Sequence, residues 1–306
     1  MTSTIDPARP VIDLPSPPGA LATYRAAALQ RAHGKDRVPA KVLRLSGVRP
    51  ELDDVQRYLA VCGGRLTTAL PVLYPHMLGF PLQMALLTDK DSPFAAMGLV
   101  HVVNSVSVIK PVPLGAALGI EVEMAPPRPH RRGRTIDLLA RVSIDGEVVW
   151  TSASTYLKRE KTSGSTESGT ESVPTAEKQV PPSLLSRPGQ LWRLPAGLGR
   201  DYGAVSGDRN PIHLSALSAK AFGFPTAIAH GMWTAARSLA ALEGRVPDAV
   251  RNEVEFKAPI PLPGTVEFAD DGGPSGAKEI DFVVRARKPG KDGTPRLHLV
   301  GSISTL

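Results

Sequence analysis

Two pairs of matching motifs occur in the same order along the chain, and this internal repeat constrains the fold more than any other feature of the sequence. The segment that begins at Tyr58 matches the segment that begins at Tyr202 in register, at Tyr, Ala, Val, Gly and Arg. The segments that begin at Asn104 and Asn252 share an Asn-x-Val start and a Pro-x-Pro-Leu end. Both pairs lie about 145–150 residues apart. The chain is therefore predicted to be a tandem duplication.

Each half has the same predicted order of elements. A long apolar helix, at about 76–88 in the first half and 231–243 in the second, is followed by strands in which apolar residues alternate with polar ones. One mostly antiparallel sheet around one long helix, formed twice, belongs to the α+β class. The proline-rich arm before residue 19 is predicted to lack regular structure. The predicted strands are 99–110, 117–124, 134–144 and 147–158, and then 251–258, 265–270, 278–288 and 295–305.

The repeat also predicts the domain boundaries. Residues 1–160 form the predicted first domain and residues 189–306 the second. Residues 161–188 are rich in Ser, Thr, Gly, Glu and Pro. Because such a composition cannot bury enough apolar surface to fold, this segment is predicted to be a flexible linker.

Composition and charge restrict the cellular context. Cys62 is the single cysteine, which excludes an intramolecular disulfide and indicates a reducing compartment, so we expect a cytoplasmic protein. No apolar run reaches the roughly 20 residues that span a bilayer. The net charge of +7 permits an anionic partner. Scattered basic residues and an aromatic content of 5% argue against nucleic acid, and the arginines at 128–134 are interpreted as a solvated basic loop.

The second copy alone carries a polar pair that could do chemistry. Asp208 and His213 stand five residues apart around an Asn-Pro break. Asn210 is a favourable N-cap, so a short helix is predicted to begin there with His213 in its first turn. The first copy has Gly64 and Ala69 at the corresponding positions. If only one copy kept an acid and a base, the chain has one active site.

The electrostatic field at the predicted helix start favours the neutral form of His213, which can act as a base. The positive end of a helix disfavours an imidazolium, which would keep His213 neutral near pH 7. The alternative interpretation, that Asp208 and Asn210 are only turn and cap residues and His213 a surface residue, remains open from these residues alone.

The motif around this pair resembles that of a known family. Tyr202, Ser-Gly-Asp208, Asn-Pro and His213, followed by His230-Gly-Met, resemble the hydratase 2 motif of MaoC-like (R)-specific enoyl-thioester hydratases. The first half is similar to the degenerate domain of two-domain members. The resemblance implies a double hot-dog fold: two antiparallel sheets, each wrapping a long central helix, joined as an intramolecular pseudo-dimer.

The resemblance also implies an activity. Asp208 and His213 would activate a water for reversible hydration of trans-2-enoyl thioesters to (3R)-hydroxyacyl thioesters. Gly231 would supply a backbone N–H for the thioester oxygen, and Asn210 would bind substrate or shape the turn. The expected substrates are acyl-CoA or acyl carrier protein thioesters, with neither cofactor nor metal. The protein would be a monomeric pseudo-dimer or a homodimer of it.

Two rival functions and two other histidines complete the predictions. The chain could instead be a non-catalytic acyl-thioester binder or regulatory subunit, or a hot-dog thioesterase in which water attacks C1.

His230 is expected to pack or to cap a helix rather than to react. His76 is treated as isolated, and no cluster with metal-ligand spacing is predicted.

Overall fold

The structure, a computed structural model, describes residues 5–30, 37–160, 180–273, 277–290 and 293–306. Its strands follow the predicted order, and each predicted strand is present with ends shifted by only a few residues. The strands are β1 (Val11–Asp13), β2 (Val42–Val48), β3 (Val100–Val108), β4 (Leu118–Met124), β5 (Arg128–His130), β6 (Gly133–Ile144), β7 (Glu147–Arg159), β8 (Gln190–Leu194), β9 (Val250–Phe256), β10 (Gly264–Asp270), β11 (Glu279–Pro289) and β12 (Pro295–Thr305).

The two predicted apolar helices are also present. They correspond to α3 and α8, and the shorter helices around them were mostly not predicted. The helices are α1 (Ala20–Leu29), α2 (Leu52–Cys62), α3 (Tyr74–Leu87), α4 (Pro182–Ser186), α5 (Leu198–Ser206), α6 (Pro211–Leu214), α7 (Ala216–Lys220) and α8 (Gly231–Ala241).

The first of two compact units contains a sheet with helix α3 against it. Its strands run in the order β1-β2-β4-β6-β7 and then the start of β3, with β5 paired to β6. From Leu78 onward, α3 belongs to this unit, and Gly79 lies against Ile120 and Val122 of β4. Leu82 is fully buried. The unit consists of Met1–Val48, Leu78–Asn104 and Ala117–Glu177.

The second unit holds a sheet with α8 against β11 and β12. Its strands run from the end of β3 through β9-β12-β11-β10 to β8, and the named pairs from β9 to β8 are antiparallel. Phe282 and Val284 of β11 are fully buried. The unit consists of Arg49–Met77, Ser105–Ala116 and Lys178–Leu306.

These units differ from the predicted domains, because two segments of the first half belong to the second unit. Helix α2 and the first turn of α3 lie within Arg49–Met77. Residues 1–160 and 189–306 remain predicted domains, whereas the compact units divide the chain elsewhere. The α+β class is confirmed.

Two segments that were predicted to be irregular contain ordered elements. In the proline-rich arm, Val11–Asp13 pairs in parallel with β2. Residues 161–179 of the predicted linker lie outside the described residues, but its end forms helix α4. Leu184 of α4 is 1% exposed and packs on Val283 and Val300. This burial of one leucine on the sheet explains why the end of the segment is ordered despite its polar composition.

The duplicated segments contact each other within the second unit. Helix α2 and helix α5 are the two copies of one element, and they pack together. The rings of Tyr58 and Tyr202, which are equivalent residues, lie 6.4 Å apart. Contact between equivalent residues is what a two-fold relation between copies produces. This contact supports the predicted duplication.

Acidic partners account for part of the basic loop. Arg128 pairs with Asp137, and Arg134 forms two hydrogen bonds of 2.9 Å with Glu160. The interpretation as a purely solvated loop was therefore incomplete. Among the described residues, no helix is long and apolar enough to cross a membrane.

Candidate active site

Helix α6 presents His213 as the sequence predicted. Asn210 is its N-cap, and the Asn210 side chain accepts a hydrogen bond of 3.3 Å from the N–H of Ile212. Pro211 occupies the first helical position. Because proline has no N–H to lose and its φ suits a helix, the helix begins at this residue. His213 follows two residues later and is 8% exposed.

A backbone carbonyl fixes the protonation pattern of the His213 ring. His213 Nδ1 lies 2.7 Å from the carbonyl oxygen of Ile228. A carbonyl oxygen can only accept a hydrogen bond, so Nδ1 must carry the proton. In the neutral ring, Nε2 then keeps its lone pair. The geometry therefore makes Nε2 the basic atom of His213.

Burial keeps this histidine neutral. Desolvation lowers the pKa of His213, whereas the charge of Asp208 and the bond to Ile228 raise it. From the sequence, the same effect is expected from the positive end of the helix. Helix α6 has only four residues, and burial is the dominant cause.

Asp208 is held by its own loop and remains partly exposed. Gly207 ends α5 in the left-handed conformation, with φ 74°. The N–H of Asp208 donates to Ser206 Oγ at 3.2 Å, and the N–H of Asn210 donates to Asp208 Oδ1 at 3.1 Å. The Asp208 side chain is 28% exposed. The loop thus orients a carboxylate that a ligand or water can reach.

His230 touches both members of the pair, which the sequence analysis did not foresee. Its ring stacks on that of His213, with centroids 3.7 Å apart and planes at 25°. Its Nε2 lies 3.0 Å from the backbone oxygen of Asp208 and 3.8 Å from Asp208 Oδ2. Its side chain makes no capping bond to α8. His230 therefore packs, as predicted, and it occupies the N-cap position of α8 without a side-chain capping bond.

These three residues also have the composition of a metal site. Potential ligand atoms of Asp208, His213 and His230 all lie within 4.8 Å of one another. An imidazole nitrogen binds a metal through a lone pair in the ring plane. Two rings that stack 3.7 Å apart at 25° cannot both direct such lone pairs at one ion. The arrangement suits proton transfer and fits a metal poorly.

Two further buried residues surround the acid. His76 of α3 is 4% exposed, and its pKa is lowered to about 4 by burial, an effect that the charge of Asp208 opposes. His76 is therefore not isolated, contrary to the prediction. Tyr202 is 2% exposed, and its pKa is raised by burial and by the nearby charges of Cys62 and Asp208. Both side chains are neutral at pH 7.

Two glycines of α5 let the backbone of Asp208 and His213 approach this helix closely. A Cβ on Gly199 would lie 1.9 Å from the carbonyl oxygen of His213, and a Cβ on Gly203 would lie 2.9 Å from that of Asp208. The two glycines are four residues apart and share one face of the helix. Glycine destabilises a helix interior by roughly 1 kcal/mol relative to alanine. That cost is offset by the close approach of the loop that carries Asp208 and His213.

We expect Gly199→Ala to lower kcat/KM by roughly 100-fold, the scale for displacing a reacting group by about 1 Å. The added methyl group must push the His213 carbonyl away and carry α6 with it. Gly197→Ala is the matched control, because the nearest atom to its Cβ would be 3.5 Å away. Steady-state kinetics and thermal unfolding of both variants provide the measurement. Equal activity of the two variants would show that this close approach does not matter.

Buried neutral histidines make stability depend on pH. Burial lowers the pKa of His76 to about 4 and that of His230 to about 3. Between those values and about 6.5, the unfolded chain binds more protons than the folded one, so stability falls as pH falls. We expect each residue to lower the free energy of unfolding by about 2 kcal/mol at pH 5 relative to pH 7. Urea denaturation of wild type and His230→Gln at both pH values measures this. If the free energy of unfolding of His230→Gln fell between pH 7 and pH 5 by as much as that of the wild type, the effect could not be assigned to His230.

Gly231 opens α8 beside this group. It follows His230, the N-cap residue. N–H groups in the first turn of a helix have no partner within the helix. A Cβ at Gly231 would lie 2.9 Å from the ring of Phe256, so packing also requires glycine here. The structure places Asp208, His213, His230 and the start of α8 together, whereas the Asn210 side chain caps α6.

Comparisons with known proteins show which family the chain belongs to. Residues 197–271 match the family model of the MaoC like domain. The chain is 40% identical over 230 residues to 3-hydroxyacyl-thioester dehydratase X of Mycobacterium tuberculosis, which covers 75% of this chain and 80% of that protein. A 70-residue stretch, 22% of this chain and 45% of the other, is 39% identical to a 3-hydroxybutyryl-CoA dehydratase of Methylorubrum extorquens.

Solved structures show the same architecture. HtdX of Mycobacterium tuberculosis is similar with a TM-score of 0.71 and 34% identity, covering 87% of this chain and 100% of that one. A MaoC-like dehydratase of Phytophthora capsici has a TM-score of 0.67 at 17% identity, covering 90% of this chain and 98% of that one, which indicates a shared fold. The double hot-dog fold is thereby confirmed. The chain belongs to the MaoC-like dehydratase family and is a hydro-lyase.

Proposed function

We propose that this protein reversibly hydrates trans-2-enoyl thioesters to (3R)-hydroxyacyl thioesters, with Asp208 and His213 acting on one water. The observation that carries the proposal is the hydrogen bond of 2.7 Å from His213 Nδ1–H to the Ile228 carbonyl. It leaves the lone pair of Nε2 available on a neutral ring. A general base needs this state near neutral pH.

The two residues have different tasks in this mechanism. His213 Nε2 takes a proton from the water, whose oxygen adds to C3 of the substrate. The carboxylate of Asp208 accepts a hydrogen bond from the same water and orients it. The proton that His213 Nε2 took from the water is then delivered to C2, so that His213 returns to its neutral state and the reaction has no net gain or loss of protons. The reverse sequence removes water from the hydroxyacyl thioester.

The thioester oxygen needs a hydrogen-bond donor as C3 is attacked, because negative charge accumulates on that oxygen. Gly231 is the proposed donor through its backbone N–H at the start of α8. Asn210 contributes by shaping the loop: its side chain caps α6, and its N–H holds Asp208 Oδ1 at 3.1 Å. A direct contact of Asn210 with substrate is also part of the proposal.

The names of the relatives support the substrate class. One is a 3-hydroxyacyl-thioester dehydratase and the other acts on a 3-hydroxybutyryl-CoA. We therefore propose CoA or acyl carrier protein thioesters as substrates, in a monomer or a homodimer. The single cysteine keeps the reducing cytoplasm as the proposed compartment.

The test is an assay of the purified full chain with crotonyl-CoA and with a long-chain trans-2-enoyl-CoA. Hydration removes the ultraviolet absorbance of the conjugated enoyl thioester without releasing free thiol, and chiral analysis of the product should give the 3R isomer. Release of CoA thiol would instead identify a thioesterase. Binding without any turnover would identify a non-catalytic acyl-thioester binder. Either result would overturn the proposal.

A further inference from the structure

His230 is the residue outside the catalytic pair that contacts both of its members. It lies 2% exposed between Tyr202, with ring centroids 4.9 Å apart, and His213, with centroids 3.7 Å apart. Its Nε2 is 3.0 Å from the Asp208 carbonyl oxygen. Because a carbonyl only accepts, Nε2 carries the proton and donates it.

The other ring nitrogen has an unusual environment. His230 Nδ1 is buried and has no hydrogen-bond partner among the described residues. A buried polar atom without a partner costs free energy, commonly about 1–3 kcal/mol. Phenylalanine at this position would avoid that cost but could not donate to Asp208. The presence of histidine therefore indicates that its Nε2–H bond is worth retaining.

The neutral state of His230 matters for both Asp208 and His213. Burial, and then the charge of a protonated His213, lower the pKa of His230 to about 3. A second cation beside His213 would oppose protonation of the base and would compete for the Asp208 carboxylate. A neutral ring supports both residues without either effect.

We propose that His230 is a positioning residue that holds Asp208 and His213 in register, through a hydrogen bond to the Asp208 backbone and through ring stacking on His213. This inference rests on the proposed function for its kinetic consequence. Its structural consequence, the orientation of the His213 ring, is independent of any substrate.

Two substitutions separate the two contacts. His230→Phe keeps a ring and loses the donor. His230→Gln loses the ring but keeps a donor, because the Gln Nε2 can occupy nearly the same place as the His Nε2. We expect kcat with crotonyl-CoA to fall by at least about 10-fold in His230→Phe, with KM changed less than about twofold, since misplacement of reacting groups acts mainly on turnover. His230→Gln should recover a substantial part of that loss.

A double variant tests whether His230 acts through the base. In a His213→Ala background, His230→Phe should lower kcat little further, because effects of residues that work as a unit are not additive. An undiminished additional loss would overturn the proposal. Equally, a normal kcat in both single variants, or a change in KM alone, would overturn it. If the Phe variant does not fold, the NMR spectrum of the Gln variant decides: a His213 ring unchanged from the wild type would overturn the proposal.

Nitrogen-15 NMR of the seven histidines gives a readout that does not require turnover. In the wild type, His213 should be a neutral ring protonated at Nδ1. In His230→Gln, which removes the stacked ring, it should become a mixture of tautomers, and in His230→Phe, which keeps a ring against His213, it should stay closer to the wild type. An unchanged His213 spectrum in both variants would refute positioning by His230, even if the wild type failed to hydrate any enoyl thioester. A missing activity with the expected spectral change would instead refute only the proposed reaction.

Discussion

His213→Ala and Asp208→Asn should each lower hydration of crotonyl-CoA by at least about 100-fold, the usual scale for the loss of a positioned acid or base. In His213→Ala, the Nε2 lone pair that is proposed to take the proton is gone. In Asp208→Asn, the water loses a charged acceptor, while Asn can still accept the hydrogen bond of 3.1 Å from the Asn210 N–H. Stopped-flow or steady-state absorbance, together with circular dichroism, measures both changes.

The first copy of the repeat supplies the matched control. Ala69 occupies the position that corresponds to His213, and its N–H and carbonyl are engaged with Thr67 Oγ1. Ala69→Ser adds a small polar group there and should keep kcat within about twofold, because most substitutions away from a site change little. Near-normal turnover in His213→Ala or Asp208→Asn, or a large loss in Ala69→Ser, would assign the chemistry to other residues.

A fragment of residues 180–306 should be insoluble or inactive, although it contains every proposed catalytic residue. The second compact unit also requires Arg49–Met77 and Ser105–Ala116. Without α2, the Trp233 indole loses its hydrogen bond of 2.9 Å to the Val61 carbonyl, and the buried Tyr202 loses its neighbour Tyr58. Buried polar and aromatic surface left without partners commonly costs several kcal/mol.

A cut chain distinguishes missing contacts from a missing connection. Residues 1–160 and 180–306, produced together as two polypeptides, keep every contact that the structure describes. We expect this pair to copurify and to retain activity close to that of the intact chain. Soluble expression, gel filtration and enoyl-CoA turnover compare the three samples. A fragment of 180–306 that is stable and fully active alone would refute the requirement for α2.

Periodicity was sufficient to predict most of the fold. In the strands of both halves, apolar residues alternate with polar ones. This pattern of period two depends only on one face of the strand being buried, whatever packs against that face. The observed bounds of β12, Pro295–Thr305, therefore agree with the predicted ones. Helices α2 and α5 were not predicted, because they are short and their apolar faces become evident only when Tyr58 meets Tyr202. The two glycines of α5 were a visible signal, but without a predicted helix they could not be placed on one face.

The acid and base could be predicted, and their surroundings could not. Asp208, Asn210 and His213 are neighbours in sequence, so a cap and a turn bring them together locally. His230 and His76 reach Asp208 through tertiary packing, which no spacing rule encodes. The direction of the His213 pKa shift was predicted correctly, but from the helix end, which is not its main cause. The main cause is burial, and burial cannot be read from one short motif.

The glycines of α5 bear on whether the first copy could hold a second site. Val55 and Leu59 of α2 occupy the positions that correspond to Gly199 and Gly203, and both are buried. A Cβ at Gly64, the counterpart of Asp208, would already lie 2.8 Å from Leu59 Cδ2. Introducing an aspartate and a histidine in that copy would therefore not create a loop like the one at Asp208. Because buried side chains of α2 occupy the space that glycines leave open in α5, a second site in the first copy would require several simultaneous substitutions.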